Sequence, residues 1–248
     1  MQIFGQDIQT VLFDKDGTLI DLPSIWIPWA HDIHKHLAEV VPGCQFDLGE
    51  FGVALGIRGE DEVDPKSPLA IASLDEMQAV IAFLLYGQGV PWDSAMIFAR
   101  ESIQYADEKQ NNSAAIRPIA GIHELLIELK EKKLVLGVVT ADDTEKAWVQ
   151  LEKVELAKYF DFVIGSDQVQ NGKPYPDMAY LARDRHGITL CNTVIVGDTN
   201  ADMQMGKSAG VKATIGIVLN PQNEITHLAD ADLIIKSYSE LLEMGTRR

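Results

Sequence analysis

Hydrophobic and polar positions follow two different rhythms along this chain. Residues 8–13, Ile-Gln-Thr-Val-Leu-Phe, are rich in β-branched and large apolar side chains and run into a polar Asp-Lys-Asp-Gly turn, which predicts a buried first strand. From residue 119 the rhythm becomes regular. Helical periodicity over 121–132 precedes the apolar run 134–139, and helices near 144–152, 177–186 and 201–209 lead in turn to strands near 162–164, 193–196 and 211–217. A weaker pair, 231–235 and 239–244, would finish one edge. Strands alternating with helices of this length imply right-handed crossovers and a parallel sheet covered on both faces, so the predicted class is α/β with a doubly wound sheet.

Between residues 21 and 115 the alternation stops. Helix-like segments near 25–40, 74–85 and 93–111, separated by Gly- and Pro-containing breaks, predict a helical insertion between the first and second strands. The boundaries follow: a core of residues 1–20 and 116–248, and an insertion of 21–115. Without the insertion, the 248 residues reduce to about 153, the size of one ordinary α/β domain.

Composition narrows the class. With 46% hydrophobic and 23% charged residues the chain reads as a globular protein. Its 37 acidic residues against 21 basic ones, a net charge of −16, argue against nucleic acid or an anionic membrane as partner, since both need clustered Lys and Arg. The first residues carry no secretory pattern, and no apolar run reaches the roughly 18 residues that span a bilayer, so the expected location is cytoplasmic. Cys44 and Cys191 stand apart, without C-x-x-C spacing, which suits a reducing compartment. No oligomeric state follows from the sequence.

The candidate chemistry gathers at predicted strand ends. Asp14-Lys15-Asp16-Gly17-Thr18 follows the first strand, and Asp-x-Asp supplies one carboxylate suited to attack or metal ligation and another suited to proton transfer. Alone, the same turn reads as an acidic helix cap. Thr140 and Ala141 end the second predicted strand, where a hydroxyl and an N–H suit a phosphate oxygen or, equally, a helix cap. Lys173 lies in the rigid turn Gly172-Lys173-Pro174-Tyr175-Pro176, and Gly197-Asp198-Thr199-Asn200-Ala201-Asp202 follows the fourth strand, with helix capping again the alternative. In a doubly wound sheet all of these positions line one ligand-binding edge.

Taken together, the order Asp-x-Asp-Gly-Thr, strand-end Thr, Lys and Gly-Asp-x-x-x-Asp resembles the haloacid dehalogenase-like (HAD) hydrolase superfamily, and the insertion sits where that family carries its helical C1 cap. The resemblance covers the core and implies a Rossmann-like fold and a Mg²⁺-dependent phosphatase of the phosphoglycolate phosphatase-like branch. It implies Asp14 as nucleophile forming an aspartyl-phosphate and Asp16 as general acid and then base. It further implies Thr140, Ala141 and Lys173 as phosphate ligands, and Asp14, the Asp16 carbonyl, Asp198 and Asp202 around the metal. The second aspartate sets the chain apart from the dehalogenases. Asp-Lys-Asp-Gly-Thr is also one residue from the Asp-Lys-Thr-Gly-Thr of P-type ion pumps, which the lack of a transmembrane run sets aside. Phosphonate-cleaving relatives need a cap lysine, and none of Lys35, Lys66 or Lys109 stands in a matching context.

The implied partner is a small phosphorylated metabolite. The polar segment from Gly56 through Asp61 to Pro68 is the candidate recognition loop, with Arg58 or Lys66 meeting a substrate carboxylate or second phosphate, or else serving as surface charges. Trp26, Trp29 and Trp92 are candidate pocket residues or packing, and His31, His34 and His36 cannot share one helix face, which argues against a metal cluster. A phosphomutase of the β-phosphoglucomutase-like kind and a non-catalytic binding protein of the same fold are the alternatives.

Overall fold

The computed structural model describes residues 8–43, 47–111, 116–219 and 225–246; Cys44 and Ala115 lie outside them. The chain forms two compact units, residues 22–117 and the remainder. Strand β1 (Thr10–Phe13) opens the larger unit and is buried at every position.

The helical unit follows. Helix α1 (Leu22–Val40) buries Ile25, Trp29, Ile33 and Leu37, one residue per turn. Helix α2 (Leu48–Leu55) is capped by Asp47, whose Oδ1 accepts from the Gly49 and Glu50 N–H groups at 2.9 and 3.1 Å. A short antiparallel pair, β2 (Ile57–Arg58) and β3 (Glu62–Val63), leads to α3 (Pro68–Ile71), α4 (Leu74–Gly87) and α5 (Trp92–Asn111). A reciprocal capping box, Ser73 with Glu76, starts α4. Packing of α1 on α5 is fixed by Trp29 Nε1, which donates to Asp107 Oδ1 at 2.8 Å. The Gln110 amide also donates to the Ile25 carbonyl at 3.1 Å.

In the larger unit the chain continues through α6 (Ile122–Glu131), β4 (Val135–Val139), α7 (Thr144–Lys153), β5 (Phe162–Ile164), α8 (Asp177–His186), β6 (Thr193–Gly197), α9 (Asn200–Ala209), β7 (Ala213–Ile217), β8 (Leu233–Ile235) and α10 (Tyr238–Thr246). The six strands run in the order β5-β4-β1-β6-β7-β8, every pair parallel. Because side chains alternate across a strand, complete burial of β1 and β6 requires cover on both faces. Leu12, Phe162, Ile164 and Ile195 pack with Met178 of α8 and Met205 of α9 in one buried cluster. Among the described residues no helix is long and apolar enough to cross a membrane.

The structure departs from the sequence pattern at three points. Strands β1, β7 and β8 begin two residues later than the apolar runs. The segment 56–68, expected as a loop, contains the β2–β3 pair, where buried Ile57 faces buried Val63 and the Arg58 guanidinium pairs with Asp64. Helix α2 escapes the periodicity because Gly49 and Gly52 dilute its apolar face.

Gly137, in the middle of β4, makes room for its neighbours: a Cβ there would overlap the Phe162 ring and lie 2.9 Å from Leu12 Cδ2. Gly137→Ala is therefore expected to cost about 1–3 kcal/mol through overpacking. The measurement is a urea midpoint that falls at unchanged m value; an unchanged midpoint would contradict this packing.

Candidate active site

The register of the sheet decides where the acidic motifs meet. Phe13, the last residue of β1, lies level with Val138 of β4 and Val196 of β6, and the Asp14 N–H donates to the Val196 carbonyl at 2.8 Å. The loops that follow β1, β4 and β6 therefore leave the sheet side by side. From β1 the chain moves outward through β4 and β5, then returns to β6 on the other side of β1. Such a reversal opens the crevice in which doubly wound sheets bind ligands.

One cluster forms around Lys173. Its Nζ lies 2.5 Å from Asp14 Oδ1 and 2.6 Å from Asp202 Oδ1, and all three residues are largely buried. Asp202 divides its two oxygens: Oδ1 meets Lys173, while Oδ2 accepts from Thr199 Oγ1 at 2.6 Å and the Thr199 N–H at 3.2 Å, capping α9. Asp198 completes the group. Oxygens of Asp14, Asp198 and Asp202 lie within 4.8 Å of one another, a hard-donor set able to hold a divalent cation.

Electrostatics in this cluster reflect crowding. Burial pushes the Asp14 carboxyl up to about 7; Lys173 pulls the other way, while Asp202 and Asp16 add to the rise. Asp198 is pushed well above the usual carboxylate range by burial and then by Asp14 and Asp202. Burial alone would lower Lys173, but Asp14 and Asp202 outweigh it and hold the ammonium above its ordinary value.

The geometry of the first loop explains its Gly and Thr. Gly17 has φ +81°, and a Cβ there would run into the Asp198 carboxylate. Thr18 Oγ1 reaches Asp198 Oδ1 at 3.4 Å, and the Thr18 carbonyl accepts from the buried Tyr238 hydroxyl at 2.5 Å. His227 Nε2 lies 3.2 Å from the Asp198 carbonyl. The first loop is thus tied to α10, and the loop after β6 to the segment after β7.

A second cluster forms around Lys15, which is fully buried. Its Nζ contacts Asp16 Oδ1 at 2.5 Å, Asp142 Oδ2 at 2.9 Å and Gln150 Oε1. Burial pushes Asp16 above the usual carboxylate range against the pull of Lys15. It pushes Asp142 up as well, yet Lys15 and Lys146 overcome it and hold Asp142 below that range. Asp14 and Asp16, two residues apart, are thereby held by different lysines.

The remaining predicted residues fall in several places. Thr140 is buried at the end of β4; its N–H donates to the Ile164 carbonyl at 3.0 Å, and its Oγ1 accepts from the Asp142 N–H at 3.2 Å. Ala141 is next in the same loop and half-buried. In the helical unit Arg58 pairs with Asp64, and Lys66 is exposed. Trp29 and Trp26 are buried, and Trp92 is exposed beside Tyr86. His36 stacks on Tyr105 and bonds Ser102, and the histidines form no metal-ligating group among the described residues.

Sequence reasoning missed Lys15, Asp142, Gln150, His227 and Tyr238. Lys15 and Asp142 did carry a signal: each is a charged residue next to a motif position at the end of an apolar strand.

A family model described as haloacid dehalogenase-like hydrolase matches residues 86–215. The phosphoglycolate phosphatases of Escherichia coli O157:H7 and Shigella dysenteriae serotype 1 (strain Sd197) are 30% and 31% identical over 251 aligned positions, covering 96% of this chain and 92% of each relative. Among solved structures, a predicted phosphoglycolate phosphatase from Haemophilus somnus 129PT superposes with a TM-score of 0.74 at 18% identity, covering 97% of this chain and 99% of that one. A β-phosphoglucomutase from Clostridium difficile gives 0.65 at 18% identity, with 96% and 97% covered. On the sequence matches, the chain belongs to the haloacid dehalogenase-like hydrolase family.

Proposed function

We propose that this protein is a phosphatase that hydrolyses a small phosphomonoester through a phosphoryl-Asp14 intermediate, with phosphoglycolate as the first candidate substrate. One observation carries the reading: two carboxylates two residues apart, at the end of the central strand, are held by two different lysines. That division suits two different jobs. Relatives named phosphoglycolate phosphatase, aligned over nearly the whole chain, support the substrate class.

In the first step a carboxylate oxygen of Asp14 attacks phosphorus, the ester P–O bond breaks, and Asp16 gives its proton to the departing alcohol oxygen. In the second, water attacks phosphorus and gives a proton to the Asp16 carboxylate, and Asp14 leaves as a carboxylate. The balance is ester plus water to alcohol plus inorganic phosphate. The Thr140 hydroxyl, the Ala141 N–H and Lys173 are assigned to the phosphoryl oxygens. Asp202, with one oxygen spent on the α9 cap, is assigned to anchoring Lys173 beside the metal ligands. Asp14, the Asp16 carbonyl and Asp198 would hold Mg²⁺, which when bound would supply positive charge to offset the negative charge of the phosphoryl oxygens. The helical unit is read as a cap from its place in the chain. Its candidate substrate contacts are Arg58, which would exchange Asp64 for the substrate, and Lys66.

The phosphomutase reading rests on a β-phosphoglucomutase sharing this fold. Net phosphate release separates the two. With Mg²⁺, the protein is expected to release inorganic phosphate from phosphoglycolate in proportion to ester consumed; chelation or Asp14→Asn should each reduce the rate by at least about a thousandfold. Release that survives both treatments would falsify the mechanism, and phosphoryl movement without release would favour the mutase.

The metal-free protein offers a second test. Folded Asp14 keeps its proton up to about pH 7, whereas the unfolded chain loses it near the ordinary value of 3.8. The folded state therefore binds more protons between these values, and the stability this contributes is lost as pH rises through about 7. Asp198 acts in the same direction. The melting temperature without metal should fall from about pH 5 to about pH 8 by more in the parent than in Asp14→Asn. Equal falls, read by thermal unfolding in chelator, would remove this account of Asp14.

A further inference from the structure

The two-step reaction leaves a buried lysine without a part. Lys15 is 0% exposed, and its ammonium is surrounded by three side-chain oxygens: it donates to Asp16 Oδ1 and Gln150 Oε1 and forms an ion pair with Asp142 Oδ2. A buried ammonium costs desolvation that an apolar side chain of similar length avoids, so stability is a weak reason for a lysine here.

The contacts are arranged asymmetrically. Lys15 reaches Oδ1 of Asp16, whose Oδ2 has no hydrogen-bond partner among the described residues, and the Asp16 side chain keeps 14% of its surface accessible. Asp142, the second acceptor, donates its own N–H to Thr140 Oγ1 at 3.2 Å and lies 4.0 Å from Lys146. Gln150 brings in α7. One run of contacts therefore joins Asp16, through Lys15 and Asp142, to Thr140, linking the loop after β1 to the loop after β4. Proton transfer depends steeply on donor position, and a carboxyl group held at one oxygen has its other oxygen fixed in direction.

We propose that Lys15 is the positioning residue of phosphoryl transfer: clamped by Asp142 and Gln150, it holds the Asp16 carboxyl group at Oδ1 so that Oδ2 delivers the proton to the departing ester oxygen. The assignment rests on the phosphatase reading above. In the step, the Oδ2–H bond of Asp16 breaks as the ester P–O bond breaks and the alcohol O–H bond forms. Lys15 keeps all of its protons and donates a hydrogen bond to Oδ1 throughout.

The test compares two leaving groups. An alkoxide, as from phosphoglycolate, needs the proton to depart, whereas the phenolate of para-nitrophenyl phosphate leaves without it. In Lys15→Met, which keeps the chain length and removes the charge, kcat/KM is expected to fall about 30- to 300-fold for phosphoglycolate and under about 5-fold for the aryl ester. This constant covers only the steps up to departure of the leaving group, so Asp16's second role does not enter. Equal losses on both esters, or no loss on either, would overturn the assignment while leaving the phosphatase reading intact. Absence of turnover of either ester by the unmodified protein would instead reject the phosphatase reading itself. If Lys15→Met does not fold by circular dichroism, Asp142→Asn carries the same test, because it keeps the shape of the clamp and removes its fixed negative charge. A split of the same sense supports the assignment, and an equal loss on both esters rejects it.

Discussion

Two ammonium groups shielded from solvent hold together the acidic edge of the sheet. Lys173 stands between Asp14 and Asp202, and Lys15 between Asp16 and Asp142. In each case the two carboxylates come from segments after different strands, Asp202 from the first turn of α9 and the others from loops. Neutralising the charges and fixing the loops against each other are therefore one interaction. Removing one member of a buried pair leaves an uncompensated charge, at a cost of about 3–5 kcal/mol, so neither loop can drift without a large electrostatic penalty. The strand register brings these loops to the same edge; the lysines set the positions of the side chains within it.

The first loop illustrates how much is asked of five residues. Asp14 must face Lys173 while Lys15 turns the other way, beneath Asp16. Gly17 then reverses the chain at positive φ, close to Asp198, and Thr18 is tied at its hydroxyl to Asp198 and at its carbonyl to Tyr238. Leu19 and Ile20 both return their N–H groups to the Lys15 carbonyl. A motif read in the sequence as two useful carboxylates is thus a closed turn in which four of five side chains have a fixed partner and the fifth position excludes one.

This also explains which parts were legible in the sequence. The parallel sheet announced itself because buried strands are continuous apolar runs and their spacing forces crossovers, and the strand-end position of Asp14, Thr140 and Asp198 followed from that order. The β2–β3 pair is too short to show a period, and α2 hides behind its glycines. Lys15 was passed over because a charged residue directly after a buried strand looks solvated until its partners are known; Gln150 lies 135 positions away. At Asp202 the sequence offered capping and chemistry as alternatives, whereas one oxygen caps α9 and the other meets Lys173. The choice was between residues, but the structure makes it between atoms.

Charge counting at the edge leads to a last point. Five carboxylates, Asp14, Asp16, Asp142, Asp198 and Asp202, share the two contacting lysines, with Lys146 at 4.0 Å from one of them. A buried array with surplus negative charge can retain protons or accept cations. Asp14, Asp16 and Asp198 are all raised above the ordinary carboxylate range, a shift toward the first course. Asp142, which shares Lys15 with Asp16 but also has Lys146 nearby, is the exception and is lowered. The deficit is thus concentrated on the Asp14 and Asp198 side, where three carboxylates come within 4.8 Å. The net charge of −16, which argues against polyanions at the surface, is in part a local shortage of positive charge at this edge. Proton and divalent cation compete for the same oxygens there, and only the cation leaves Asp14 ionised for attack.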